Sequence, residues 1–124
     1  MRLLPDTHAA LWLLADDARL GSRAAELLTD PANEVLLSAA VAWEVAIKRS
    51  LGKLDAPDGF AELLLGAGAT ELPVSIEHAH AVGALPWHHR DPFDRILVAQ
   101  ALREEAVVAS ADDVLRAYGV RVEW

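Results

Sequence analysis

The sequence predicts an α/β protein, a three-layer α/β/α sandwich with a central, mostly parallel sheet of four to five strands. Short apolar runs typical of buried strands alternate along the chain with longer segments of helical periodicity. Internal repeats, low-complexity tracts and cysteines are absent, so this alternation is the organising pattern. Strands that are separated by helices pair in parallel and place helices on both faces of the sheet.

The composition predicts one folded domain over residues 1–124. Of the 124 residues, 53% are hydrophobic and the formal net charge is −8, which excludes disorder and supplies one ordinary core. The longest apolar run, residues 9–15, is far shorter than the roughly 20 residues that a bilayer requires, and the first residues do not resemble a signal peptide. We therefore expect a cytoplasmic protein without membrane contact. Its acidity argues against whole-surface affinity for nucleic acid and leaves room for a local site.

The first half of the chain predicts two strands and three helices. Strands are expected at residues 2–4 and 34–38, and helices at residues 9–15, 22–29 and 39–50. The first helix is apolar on all sides and is expected to be buried. The second starts at Ser22, a favourable N-cap, and ends before Pro31. The third has Val41, Val45 and Lys48 at helical spacing.

The second half predicts three strands and four helices. Strands are expected at residues 70–74, 107–110 and 120–124, and helices at residues 58–65, 77–82, 91–105 and 113–118. Asp58 caps the first of these helices, and Gly119 closes the last. The clearest helix begins with Asp91 at the N-cap and Pro92 at the first helical position.

Four acidic residues fall where a parallel sheet brings them together. Asp6 and Asp112 follow the first and fourth strands, and Glu44 and Asp94 lie in the first two turns of helices. Ligands of open parallel sheets bind beyond the carboxyl ends of the strands. Two carboxylates about 5 Å apart repel by roughly 3 kcal/mol at an effective dielectric near 20, so the cluster requires protonation or a cation. Oxygen ligands favour Mg²⁺ or Mn²⁺, which polarise phosphates and activate water for phosphodiester hydrolysis.

Each of these acids also has a purely structural interpretation. The helix dipole favours Asp94 in a first helical turn, and Glu44 can pair with Lys48 four residues later. Asp6 and Asp112 are ordinary turn residues after strands. The pattern of all four indicates a metal site more strongly than any one of them.

Five motifs occur in order along nearly the whole chain. They are Leu4-Pro5-Asp6-Thr7-His8-Ala9, Leu37-Ser38-Ala39-Ala40, Trp43-Glu44-Val45-Ala46-Ile47-Lys48, His89-Arg90-Asp91-Pro92-Phe93-Asp94-Arg95 and Ser110-Ala111-Asp112. In this order they resemble PIN-domain ribonucleases, in particular toxins of the VapC type. The resemblance implies a PIN fold and an acidic cluster that holds Mg²⁺ or Mn²⁺ and cleaves RNA.

The resemblance also assigns roles to individual residues. By position, the four acids of the family match Asp6, Glu44, Asp94 and Asp112. They are expected to be catalytic metal ligands, with Glu44 binding the metal or orienting water. The accessory residues that the resemblance implies are Asp91, Thr7 and Ser110, where Ser110 replaces a more usual Thr. Pro5 departs from the family pattern and predicts that the first strand ends early, with Asp6 aimed differently.

Basic and aromatic residues flank the proposed ligands. Those expected to contact RNA phosphates are Lys48, Arg49, Arg90 and Arg95. The alternative is a solvated helix face for the first two and an ordinary polar loop for the region of Arg90. We expect Trp12 and Trp43 to be core residues. For Trp87, beside the His-Arg loop, stacking on a base or packing on a partner stays open. The His88-His89 pair lacks the spacing of a helical zinc site.

The leading functional hypothesis is a metal-dependent endoribonuclease, a hydrolase that is the toxin of a type II toxin–antitoxin system. The resemblance implies an antitoxin partner that inserts a basic side chain into the acidic site, and a homodimer. Two alternatives stay open: a PIN-like scaffold that binds RNA or protein without cleavage, and a nuclease directed at DNA. The sequence does not indicate which RNA is cleaved or how many metal ions are bound.

Overall fold

The computed structural model covers all residues from Met1 to Trp124. The chain forms one β-sheet with helices around it. The strands are β1 (Arg2–Pro5), β2 (Glu34–Ser38), β3 (Thr70–Leu72), β4 (Val107–Ala109) and β5 (Val122–Glu123). The helices are α1 (Thr7–Leu14), α2 (Ser22–Thr29), α3 (Ala39–Ser50), α4 (Phe60–Gly66), α5 (Ile76–Val82) and α6 (Pro92–Glu104). A 3₁₀ helix covers Asp113–Tyr118. No helix is both long enough and apolar enough to cross a bilayer.

The sheet has five parallel strands in the order β3-β2-β1-β4-β5. The chain therefore moves outward from β1 through β2 to β3, and then returns to the other side of β1 to form β4 and β5. This reversal opens a crevice between the carboxyl ends of β1 and β4, the position where parallel sheets bind ligands. The predicted α/β class and parallel sheet are confirmed.

Apolar side chains cover both faces of the sheet. Successive residues of β1 point to opposite faces, so Leu4 joins the larger core with α3, α4 and α6, while Leu3 joins a smaller core with α1 and α2. Leu3 and Leu4 are both fully buried. The two cores confirm the three-layer arrangement. They also fix the orientation of β1, and with it the position of Asp6, the residue that follows the strand.

Two predicted helix caps are wrong. The N-cap of α2 is Gly21, and Ser22 is the first helical residue. A Cβ atom added at position 21 would lie 2.6 Å from Trp124, so this close approach requires glycine. The N-cap of α4 is Gly59, with a left-handed φ of 69°, and Asp58 instead pairs with the Arg49 guanidinium.

Pro5 does not shorten the first strand, contrary to the prediction. It pairs in register with Ala109 of β4, and the Asp6 N–H donates to the Ala109 carbonyl at 3.0 Å. Because alternate N–H groups of a strand point to opposite sides, the missing N–H of Pro5 faces β2, where the β1 register ends at Leu3 opposite Val35. No ladder bond to β4 is lost, and Asp6 leaves the strand directly into the crevice.

Candidate metal centre

A cavity of about 240 Å³ lies at the carboxyl ends of β1 and β4. Its walls hold all four predicted acids, and its lining residues are Asp6, Thr7, His8, Trp12, Glu44, Lys48, Asp91, Asp94, Ala111, Asp112 and Trp124. The acids come from four separate places in the sequence. The fold therefore brings together the residues that the sequence pattern placed at one sheet edge.

Asp6 is held by two contacts that follow from its place at the end of β1. It is the N-cap of α1, and its Oδ1 accepts the Ala9 N–H at 2.9 Å. Its Oδ2 accepts the Ser110 hydroxyl at 2.6 Å. Burial raises the pKa of Asp6 above its ordinary value, while the hydrogen bonds from Ser110 and Ala9 oppose that rise. The carboxylate is thus oriented by the chain and is costly to ionise without a cation.

Glu44 is fixed on both of its oxygens. It is 6% exposed, although α3 carries it near the surface. The Thr7 hydroxyl donates to Oε1, and the Lys48 ammonium donates to Oε2 at 2.5 Å. This hydrogen bond raises the pKa of Lys48. The Glu44–Lys48 pair that the sequence offered as a structural alternative is present, and it lies inside the cavity rather than on a solvated face.

Asp91 and Asp94 share the first turn of α6 and differ in their surroundings. Asp91 is the N-cap and accepts the N–H groups of Phe93 at 2.8 Å and Asp94 at 3.4 Å. Burial, followed by the charge of Asp91, raises the pKa of Asp94 to about 7, and Asp6 and Glu44 add to the rise. Asp91 therefore has a clear structural role, while Asp94 is a buried carboxyl group whose charge a bound cation would stabilise.

We expect the metal-free protein to lose stability as pH rises from about 4 to about 7. Over this window folded Asp94 keeps its proton, whereas an unfolded Asp with a pKa of 3.8 has lost it, so the folded state binds more protons and the free energy of unfolding falls. With a side chain 24% exposed, solvent screening reduces the loss to on the order of 2 kcal/mol. Urea unfolding in EDTA at pH 5 and pH 8 measures it. Asp94→Asn is the control, and an equally steep pH dependence in this variant would contradict the assignment.

Asp112 follows β4 and is bound to a histidine that the sequence analysis did not include among the site residues. Its Oδ1 accepts the Val114 N–H at 3.0 Å, and its own N–H donates to Ser110 Oγ at 3.0 Å. His89 Nε2 lies 2.9 Å from Asp112 Oδ2 and 3.2 Å from Asp94 Oδ2. One feature of the sequence does indicate His89: it lies two residues before Asp91, the N-cap of α6, and this position places it at the same sheet edge as the acids.

The four basic residues predicted to contact RNA have different positions. Lys48 lines the cavity, and Arg90 is exposed beside His89. Arg49 instead donates to the Ala56 carbonyl and pairs with Asp58, away from the cavity.

Arg95 is buried, which corrects its prediction as an RNA contact. It is 3% exposed and donates to four backbone carbonyls and to the Tyr118 hydroxyl. The carbonyls belong to Val82, Leu85, Pro86 and His89. Arg95 therefore fixes the loop between α5 and α6, which carries His89.

The aromatic predictions are partly wrong. Trp12 packs against the larger core while its edge lines the cavity, beside Trp124 at a centroid distance of 5.8 Å. Trp43 is 63% exposed, because the buried face of α3 is formed by its neighbours, and its ring meets Phe93 edge-on at 5.3 Å. One face of Trp87 covers the Arg95 guanidinium at 3.8 Å, a contact within the chain that neither predicted role included.

The residues of the cavity fit a hard divalent cation. The acids offer only oxygen ligands, the chemistry that Mg²⁺ and Mn²⁺ prefer. Burial raises the pKa values of Asp6 and Asp94, and the charges of neighbouring acids add to the rise, so the cavity favours a bound positive charge. Asp94, Asp112 and His89 have ligand atoms within 4.8 Å of one another. Asp6 and Glu44 line the same cavity as Asp94 and Asp112.

Comparisons with known proteins agree with this geometry. The family model described as PIN domain matches residues 3–120. Ribonuclease VapC16 of Mycobacterium tuberculosis is 41% identical over 81 residues, which cover 62% of this chain and 52% of that protein. The chain thus spans about half the length of this curated relative.

Solved structures with low identity share the fold. VapBC2 from Rickettsia felis, bound to a DNA fragment from its promoter, has a TM-score of 0.73 at 14% identity, covering 100% of this chain and 99% of that one. VapC20 of Mycobacterium tuberculosis, a Sarcin-Ricin loop cleaving toxin, has a TM-score of 0.69 at 18% identity, covering 95% of each chain.

Proposed function

The chain belongs to the PIN-domain family, and from this premise we propose that it is a Mg²⁺- or Mn²⁺-dependent endoribonuclease, the toxin of a type II toxin–antitoxin system. The observation that carries the proposal is the convergence of Asp6, Glu44, Asp94 and Asp112 on one cavity at the switch point of the sheet. The domain is proposed to cover residues 1–124 and to act in the cytoplasm.

The proposed ligands are Asp6, Asp94 and Asp112, with Glu44 binding the ion or orienting water. A divalent ion bound there supplies positive charge to the phosphate and lowers the pKa of a coordinated water. Ser110 holds Asp6, and Thr7 holds Glu44, so the hydroxyl residues act by fixing carboxylate orientation.

Substrate phosphates are proposed to be bound by the basic residues that remain accessible. Lys48 offers an ammonium group inside the cavity, and Arg90, next in sequence to His89, offers an exposed guanidinium group with no ion pair in the structure. Such contacts position the backbone of RNA without reading its sequence. Arg49 and Arg95 are not assigned this role because their guanidinium groups are bonded elsewhere.

The activity is tested with purified protein, Mn²⁺ and a labelled single-stranded RNA. We expect cleavage that EDTA abolishes, and no cleavage by Asp112→Asn, because one proposed ligand is lost. Single-stranded DNA of the same sequence distinguishes a DNA-directed nuclease. RNA binding without cleavage, together with no Mn²⁺ binding by the wild-type protein, would support the non-catalytic scaffold and overturn the proposal.

The antitoxin and the homodimer are also proposals. VapBC2 from Rickettsia felis and VapBC-1 from nontypeable Haemophilus influenzae share this fold. The acidic cavity of this chain suits an inhibitor with a basic side chain, which can satisfy the carboxylates when metal is absent. Light scattering of the purified protein tests the dimer. Co-purification with the product of a neighbouring gene, together with loss of RNA cleavage, tests the antitoxin.

A further inference from the structure

The imidazole of His89 lies between two of the proposed metal ligands. Its Nε2 is 2.9 Å from Asp112 Oδ2 and 3.2 Å from Asp94 Oδ2. By distance alone, this arrangement suits two different roles. His89 could ligate an ion together with the two acids, or it could donate a hydrogen bond to them.

The other ring nitrogen decides between these roles. The backbone N–H of Asp91 donates to His89 Nδ1 at 3.0 Å. Because a backbone N–H only donates, Nδ1 carries no proton, and the neutral ring then carries its proton on Nε2. A histidine that ligates a metal shows the reverse pattern, with a bare ligating nitrogen and a donor on the other. Nε2 of His89 is therefore a donor to the carboxylates.

We infer that the Nε2–H of His89 takes the place of a divalent cation between Asp94 and Asp112 in the metal-free protein, and that the ion displaces it on binding. The inference deepens the proposed function and rests on it. The other two acids have internal donors of the same kind, Lys48 on Glu44 and Ser110 on Asp6. His89 is thus one of a set of groups that stabilise the acidic cluster when no metal is bound.

The fold allows the ring to leave while its backbone stays. The His89 N–H donates to the Tyr118 hydroxyl at 2.8 Å, and its carbonyl is near Arg95 Nη1 at 3.4 Å. The side chain is 23% exposed, so rotation about its own bonds carries the ring toward solvent without unfolding the loop. A hydrogen bond to a charged group contributes enough for its loss to change an affinity about tenfold.

Calorimetric titration with Mn²⁺ alone, without RNA, tests the inference. We expect His89→Leu, which has no donor, to bind Mn²⁺ about tenfold more tightly than the wild type. His89→Gln keeps an N–H donor near the position of Nε2 and is expected to bind like the wild type. His80→Leu, an exposed histidine of α5, is the matched control and should leave the affinity unchanged.

Thermal unfolding completes the thermodynamic cycle. In EDTA His89→Leu should melt several degrees below the wild type, and in saturating Mn²⁺ the two should melt together, because the displaced ring no longer contributes. Weaker or unchanged Mn²⁺ binding by His89→Leu would overturn the inference while the metal site stands. Failure of the wild-type protein to bind Mn²⁺ would overturn both the inference and the proposed function.

Discussion

Replacing Asp6 with Asn is expected to lower Mn²⁺-dependent RNA cleavage by about 10³-fold or more. A ligand that positions a catalytic ion contributes several kcal/mol to the transition state, and each 1.4 kcal/mol or so is tenfold in rate. Asn keeps the size of the side chain, and its Oδ1 can still accept the Ala9 N–H, while its amide N–H can donate to the Ser110 hydroxyl that donates to Asp6 Oδ2 in the wild type. The loss therefore reports on charge at the metal rather than on a disrupted crevice.

The stability of the same variant separates a catalytic acid from a structural one. Burial raises the pKa of Asp6, so its charged form destabilises the metal-free fold at neutral pH. We expect Asp6→Asn to be at least as stable as the wild type when both are unfolded by urea in EDTA. Unchanged cleavage with a less stable fold would show that Asp6 is only the cap of α1.

The site could be predicted from the sequence to the extent that topology determines it. Asp6 directly follows β1, and Asp112 follows β4 after Ser110 and Ala111. The two strands are neighbours in the sheet, so the convergence of these acids follows from parallel pairing. Glu44 and Asp94 lie near the starts of α3 and α6, where one helical turn fixes the side that they face. Because each acid lies so close to a strand end or a helix start, its position in the fold has little freedom.

Features that depend on distant packing could not be predicted in this way. The N-cap position of α2 requires a glycine, Gly21, because Trp124 from the other end of the chain lies against it. His89 reaches the acids only because Arg95 and Tyr118 fix its loop. The sequence pattern around Trp43 predicts a helix, but it does not show which face of that helix meets solvent. In each case the deciding contact joins segments whose spacing carries no periodic signal.

The arginine misassigned from sequence gives the second large expected effect. Arg95→Leu should lower the free energy of unfolding by about 3 kcal/mol, because it leaves the carbonyls of one loop and the Tyr118 hydroxyl without their donor. Arg95→Lys should recover part of this loss, since an ammonium has three donors on one atom and cannot reach acceptors spread around a planar guanidinium. Urea unfolding in EDTA measures both variants.

Arg90→Leu is the matched control, because Arg90 is exposed and makes no ion pair in the structure. Its unfolding free energy should change by less than about 0.5 kcal/mol, while RNA binding should weaken as one phosphate contact is lost. Of these two arginines, both predicted from the sequence to contact RNA, Arg90 is thus expected to keep that role and Arg95 to stabilise the fold. A stable Arg95→Leu protein with weakened RNA binding would contradict this, because it would require the Arg95 guanidinium to leave its carbonyl acceptors and reach the substrate.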